Sequence, residues 1–148
     1  MKITWFATGI DPSFNNRLVS SRASTRFQCL IPAKTLEKLG HKINIVQSDK
    51  ILDANQLCET EFGDVNIFIK SFIKMDENLA RRARVLNRKV IYSFCDFDFL
   101  KPEMIDHRKN MAELSHRCVT VSEALSKVVS NKFKIIDPII ITDPYEGP

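Results

Sequence analysis

Short apolar runs rich in β-branched and aromatic residues alternate along this chain with segments of helical periodicity, and this alternation constrains the fold most strongly. Such runs occupy residues 2–7, 42–47, 65–72, 89–94, 117–121 and 133–136. Several are apolar at successive positions, which is typical of strands buried on both faces. Strands that alternate with helices form a parallel sheet through right-handed crossovers. The sequence therefore predicts an α/β, Rossmann-like three-layer sandwich with a mostly parallel sheet of about six strands.

Helices are predicted between these runs, at residues 25–39, 75–87, in the later part of 102–117 and after Ser122, with a short one at 54–59. Ser24 is the expected N-cap of the first helix, and Gly40 lies just beyond its end. Pro32 falls inside that helix, so a kink or a late start is expected there. His107 is followed by two cations and is expected to face solvent. Ser122 is expected to cap the last helix.

The chain length of 148 residues corresponds to one domain. Residues 1–138 are predicted to form this domain. Residues 139–148 are predicted to be a linker-like tail, because the segment 138–148 contains three Pro and one Gly. The first apolar run is too short for a signal peptide, and none approaches the ~18 residues of a membrane span. A cytoplasmic location is therefore expected.

The net charge of +4 permits an anionic ligand or a membrane surface and requires neither. The four cysteines are widely spaced without a C-x-x-C pair, which disfavours zinc and indicates reduced thiols. Arg81, Arg84 and Arg88 share one helical stripe, and this stripe is interpreted as a solvated face. It lacks the interleaved aromatic residues that stack on bases, so no nucleic-acid partner is predicted.

In an open parallel sheet, ligands bind outside the carboxyl ends of the strands. The segment after the first strand, residues 8–24, is far longer than the ~2–6 residues usual for such a connection. Arg22 and Arg26, with backbone amides at the following helix start, suit an anion site. The alternative is a solvated polar loop. The G-x-G-x-x-G and P-loop patterns are both missing from the sequence, which disfavours a dinucleotide oxidoreductase, and no cofactor is expected.

The loop after the fourth strand carries two carboxylates, Asp96 and Asp98, between aromatic residues. Carboxylate acceptors beside aromatic faces suit a polyhydroxylated ligand such as a sugar. In the alternative interpretation, Phe97 and Phe99 cover the sheet edge while both carboxylates face water. Two carboxylates are too few for a hard cation, so no metal site is predicted.

An ordered set of motifs resembles the first domain of GT-B-fold glycosyltransferases. The family's first helix is matched by RASTRF at 22–27, LIPA at 30–33 and LGH at 39–41. A later helix, strand and turn are matched by NMAELS at 110–115 and VTVSEAL at 119–125. The Asp137-Pro138 pair resembles the end of that domain. The match covers most of the chain, although the family's glycine pair after the first strand is reduced here to Gly9.

The resemblance implies an enzyme of two Rossmann-like domains with a cleft between them. In the family the first domain binds mostly the acceptor, and the second binds the nucleotide-sugar donor. The chain is thus expected to be the acceptor-side half of a glycosyltransferase, inactive alone, with residues 139–148 leading toward a second GT-B domain as its partner. The alternative is a stand-alone remnant of such an enzyme. Expected ligands are a nucleotide-sugar and a sugar or lipid-linked acceptor. A peripheral membrane contact is compatible with the latter.

The resemblance also implies site residues around the cleft, although none is identified as catalytic. Arg22 and Arg26 would hold a phosphate or the acceptor. Asp96 or Asp98 would bond sugar hydroxyls, since family members often carry a donor-contacting Asp or His after the fourth strand. Ser122 and Glu123 would border the same cleft. The alternative function is a non-catalytic α/β binding or interaction module. A receiver domain is disfavoured, because the first strand ends without an acidic pair.

Overall fold

A computed structural model describes residues 1–12, 18–97 and 101–142. The strands in chain order are β1 (Lys2–Ala7), β2 (Asp11–Pro12), β3 (Leu18–Val19), β4 (Lys42–Gln47), β5 (Val65–Ile69), β6 (Lys89–Phe94), β7 (Arg117–Thr120) and β8 (Ile139–Ile140). The helices are α1 (Ala23–Thr25), α2 (Ile31–Lys38), α3 (Lys74–Val85), α4 (Pro102–Leu114) and α5 (Glu123–Phe133).

The main sheet contains six parallel strands in the order β4-β1-β5-β6-β7-β8, which confirms the predicted fold class. In its centre, Trp5 lies opposite Ile45 on one side and Ile67 on the other. Strands β2 and β3 form a separate antiparallel pair inside the predicted 8–24 loop. Between β4 and β5 the chain makes three short 3-10 turns instead of the helix predicted at 54–59.

The first helical segment is continuous from α1 to α2 through a π-helical turn, Arg26–Leu30, in which the Ile31 amide bonds to the Arg26 carbonyl. Arg22 occupies its N-cap position, so the prediction that Ser24 caps this helix is wrong. Pro32 lies in the first turn of α2 and does not end the helix. Inside a continuous helix, Pro32 cannot donate to the Gln28 carbonyl four residues earlier. The indole Nε1 of Trp5 donates to that carbonyl instead, at 2.9 Å.

The predicted sixth strand at 133–136 is wrong. Phe133 instead ends α5, where its ring stacks on Phe94 at 5.6 Å, and Lys134 then turns the chain with a φ of 57°. The sixth strand is β8, inside the segment predicted as a tail, and it pairs with β7. The aromatic contact thus accompanies Phe133 at the end of the helix, although its local propensity favours a strand, and residues 134–136 form neither helix nor strand.

The two faces of the sheet are covered unequally. Connections from β4 onward all advance in one direction, so right-handed crossovers place α3, α4 and α5 on one face. That face holds the larger core, built around Phe6, Phe68 and Tyr92. The other face carries only α1 and α2 among the described helices, packed over Trp5 and Ile69. None of the helices in the described ranges is long and apolar enough to cross a membrane.

Candidate functional site

Strand order reverses at β1, which has β4 on one side and β5 on the other. In open α/β sheets, the crevice outside the carboxyl ends at such a point is where ligands bind. The residues that follow the strands here are Thr8 and Gly9 after β1, Lys70 after β5 and Cys95 after β6. The topology thus places the candidate site at the carboxyl ends of β1, β5 and β6.

A depression of about 430 Å³ opens at this point. We call it the carboxyl-edge depression, and its lining consists of Arg22, Ala23, Ser24, Phe27, Lys70, Cys95 and Asp96. Arg22 and Asp96, which the sequence places in separate loops, therefore meet in one cavity. Lys70 adds a second cation that sequence reasoning did not identify.

Arg22 is held against the end of β1. Its Nη1 donates to Thr8 Oγ1 at 2.7 Å, and its side chain crosses the Gly9 backbone so closely that a Cβ on Gly9 would lie 2.6 Å from Arg22 Nε. Gly9 also has a φ of +66°. The single glycine after the first strand therefore both turns the chain and makes room for Arg22.

Lys70 and Asp96 form an ion pair across the depression, with Nζ and Oδ2 2.8 Å apart. Lys70 has a φ of 42°, a left-handed conformation that non-glycine residues rarely adopt. Its ammonium also lies 5.6 Å from the centre of the Phe72 ring. A carboxylate offers about four lone-pair positions, and the bond to Lys70 uses one of those of Asp96. The pair supplies one donor group and one acceptor group side by side.

Arg26 lies one helical turn after Arg22 and is directed toward the preceding segment. Its Nη1 donates to the carbonyls of Ser20 and Ser21, at 3.0 Å each, and its guanidinium lies 5.7 Å from the centre of the Phe27 ring. The described lining of the carboxyl-edge depression does not include Arg26. Arg26 orders the backbone that leads into Arg22, and its direct contact with a ligand stays a prediction.

The remaining predicted site residues are not brought into this depression by the described part of the chain. Ser122 caps α5 as predicted, since its Oγ accepts from the Leu125 amide at 3.2 Å. Glu123 is exposed in the first turn of that helix. Asp98 lies outside the described residues. The roles of these three at the cleft stay predictions.

A buried polar cluster behind Lys70 was missed from the sequence. His107 Nε2 lies 2.8 Å from Ser71 Oγ, and its Nδ1 lies 2.7 Å from Glu77 Oε1. The expectation that His107 faces solvent is wrong, because α4 turns it and Arg108 toward α3 and the sheet. Arg108 lies on the same buried face of α4 as Met111 and Ala112, at the i+3 and i+4 positions. This spacing in the sequence could have indicated that Arg108 is buried.

The acids of this cluster differ in their tendency to ionise. Burial raises the pKa of Asp76. The Ser71 and Ser48 hydroxyls lower this pKa, but by less than burial raises it. Burial also disfavours the ionised form of Glu77, but bonds from Lys74 and His107 outweigh it and lower the pKa of Glu77. The Ser71–His107–Glu77 order resembles a hydrolytic triad. Ser71 is only 1% exposed, however, so the arrangement serves to join β5, α3 and α4.

An apolar groove of about 240 Å³ lies on the sheet face that α1 and α2 cover incompletely. One wall is the helical segment 27–36. The other wall is the partly covered face of β1, β5, β6 and β7, together with the residues that follow β8. We call it the sheet-face groove, and its lining consists of Trp5, Phe27, Gln28, Pro32, Leu36, Ile67, Ile69, Ile91, Ser93, Val119, Val121, Ile141 and Thr142. Phe27 lines both this groove and the carboxyl-edge depression.

No group of three or more His, Cys, Asp or Glu side chains suited to a metal occurs within residues 1–12, 18–97 and 101–142. No disulfide joins the four cysteines, all of which lie in that part of the chain. Scans against known protein-family models and curated proteins found no match to the sequence. The candidate site therefore rests on its own geometry.

Proposed function

We propose that this chain is the acceptor-side half of a GT-B-fold glycosyltransferase, which transfers a sugar from a nucleotide-sugar to an acceptor. The observation that carries the proposal is the convergence of Arg22, Lys70 and Asp96 in one depression at the reversal point of the sheet. Two cations and a carboxylate suit a ligand with both phosphate and hydroxyl groups. The motif resemblance described above points to the same class of enzyme.

Each side chain has a role that follows from its chemistry. Arg22 keeps most of its five N–H groups for a ligand, because the bond to Thr8 uses one of them. Lys70 provides a point charge for a phosphate oxygen, and Asp96 accepts bonds from sugar hydroxyls. Rate enhancement then consists of positioning the acceptor and stabilising the leaving diphosphate. The donor-binding half is supplied by a second domain.

Binding to the chain itself provides the first test. Calorimetric titration with a hexose phosphate, the free hexose and inorganic phosphate should show that the hexose phosphate binds most tightly. Lys70→Met and Asp96→Asn should each weaken that binding about tenfold, in line with the ~1.5–3 kcal/mol of a charged hydrogen bond. Lys132→Met and Asp106→Asn make the same charge changes at exposed positions on α5 and α4, and should leave binding unchanged.

Activity provides the second test. The 148-residue chain alone should turn over no nucleotide-sugar, because in the proposed enzyme a second domain binds the donor. Joined to that half, Asp96→Asn should lower kcat/KM at least about tenfold, or ~1.4 kcal/mol of transition-state stabilisation. Transfer or donor hydrolysis by the isolated chain would contradict the half-enzyme proposal, as would unchanged kcat/KM in the variant.

A second candidate function, a non-catalytic interaction module, is favoured by the sheet-face groove, since an uncovered apolar face suits a protein partner. The two functions differ in the sugar-phosphate titration. An interaction module would bind none of the three probes, whereas an acceptor domain binds the hexose phosphate at the carboxyl-edge depression.

A further inference from the structure

We propose that the sheet-face groove binds the hydrocarbon chain of an amphiphilic acceptor whose anionic head lies in the carboxyl-edge depression. This inference rests on the proposed function and narrows its acceptor to one chemical class, a phosphate or similar anion joined to an alkyl or prenyl chain. Three observations support it: the chemistry of the groove wall, the junction of the two cavities and the charge at their shared end.

The groove wall presents hydrocarbon to its interior. The indole Nε1 of Trp5 donates to the Gln28 carbonyl at 2.9 Å, and Ser93 Oγ donates to Gln28 Oε1 at 2.9 Å. These polar groups therefore have partners within the protein, while Ile67, Ile91 and other aliphatic side chains form the rest of the wall. Water needs two to four polar partners to occupy a cavity, so this groove favours an apolar occupant over water.

The groove and the depression share one lining residue. The Phe27 ring lines both of them. Beside it, Cys95 Sγ in the depression donates to Gln28 Oε1 in the groove at 2.8 Å. A linear ligand that spans this junction beside Phe27 would therefore contact both cavities. At the far end, Ile141 lines the groove and is 58% exposed, which leaves an apolar exit for a longer chain.

The charge at the shared end matches an anionic head. Among the described lining residues, the Lys70 ammonium and the Asp96 carboxylate pair at 2.8 Å, and the Arg22 guanidinium adds a further positive charge. A phosphate placed against Arg22 would pair with this guanidinium, while its chain would remove apolar surface of the groove from water. A single ligand with an anionic head and an apolar tail therefore complements both cavities.

The test uses Trp5 as a reporter, because it is the only tryptophan of the chain and lines the groove. Octyl phosphate with bromine on its terminal carbon should quench Trp5 fluorescence saturably below its micelle concentration. Inorganic phosphate should not quench it. From hexyl to octyl phosphate, affinity should rise about fourfold per methylene, which corresponds to ~0.8 kcal/mol per buried CH₂.

Two neighbouring isoleucines provide matched variants. Ile141→Asp places a charge in the groove and should weaken octyl phosphate binding at least about tenfold. Ile140→Asp makes the same change on the adjacent residue, which pairs with Thr120 and faces the opposite side of the sheet, and should leave binding nearly unchanged. Arg22→Gln should weaken octyl phosphate about tenfold and leave neutral octyl glucoside unaffected.

The outcomes separate this inference from the proposed function. If hexose phosphate binds and octyl phosphate binds no more tightly than inorganic phosphate, the lipid inference is overturned and the acceptor site stands. If neither binds, both fail. If the chain sediments as a dimer that Ile141→Asp dissociates, and the brominated probe does not quench Trp5, the groove is an interface between two copies and the inference is overturned.

Discussion

The contact between Gly9 and Arg22 predicts that replacing Gly9 with alanine lowers the free energy of unfolding. The residue has a φ of +66°, where an L side chain costs roughly 1–2 kcal/mol. The new methyl group would lie 2.6 Å from Arg22 Nε and must displace that side chain. Loss of the Arg22–Thr8 bond adds about 0.5–1.5 kcal/mol. The Gly9→Ala variant should therefore lose about 2–3 kcal/mol of unfolding free energy.

Gly40→Ala is the matched control. Gly40 has a φ of +86° after α2, and a Cβ there would meet nothing within 4 Å among the described residues. Its substitution should cost the backbone strain alone, and the gain from a stiffer unfolded chain is common to both variants. Urea unfolding at pH 7 measures the difference, which isolates the Arg22 contact.

A double-mutant cycle completes the test. In an Arg22→Ala background, Gly9→Ala should cost no more than Gly40→Ala, because the displaced side chain is already gone. Gly9→Ala should also weaken hexose phosphate binding, whereas Gly40→Ala should not. Equal costs for the two glycine variants in the wild-type background, or no coupling to Arg22, would refute the reasoning.

Three further predictions concern titrating groups. Burial raises the pKa of Asp76, so the stability that this carboxyl contributes is present at low pH and declines as pH rises through its folded-state pKa. The free energy of unfolding of Asp76→Asn should therefore rise relative to that of the wild type between pH 4 and pH 7. The pKa of Glu77 is lowered, so the cost of Glu77→Gln in urea unfolding should be largest at neutral pH and fall as acid protonates Glu77. Cys58 is exposed and Thr60 lowers its pKa, whereas burial raises the pKa of Cys29 to about 12, so iodoacetamide mapped by mass spectrometry should modify Cys58 first and Cys29 only after unfolding. Equal alkylation rates, or pH-independent differences for the two acid variants, would contradict these expectations.

The central strands could be predicted from the sequence because burial on both faces leaves continuous apolar runs. The runs at 2–7 and 89–94 coincide with the central strands β1 and β6, and the run at 42–47 coincides with the edge strand β4. The edge strand β8 could not, because two residues next to Pro138 carry little local signal. Very short strands and the ends of elements depend on contacts with distant residues, such as the Phe94–Phe133 stacking at the end of α5.

The candidate site was only partly predictable for the same reason. The rule that ligands bind at carboxyl ends selected the loops of Arg22 and Asp96, which the structure brings to one depression. Lys70 was interpreted as part of a strand over 65–72, and its positive φ follows from tertiary contacts that local sequence does not encode. His107 was misplaced because neighbouring cations suggested an exposed face, although Arg108 is buried.

The left-handed turn at Lys70 has a consequence for how stability and affinity are distributed. A non-glycine residue in this conformation costs of order 1–3 kcal/mol, and it persists where surrounding structure over-determines it. Here the next residue, Ser71, is anchored by His107, so the backbone is fixed before any ligand arrives. Replacing Lys70 with glycine would relieve the strain and remove the cation at once. Lys70 therefore lowers the stability of the fold while holding a charge in place for a ligand. Sequences selected for thermostability alone should replace this lysine.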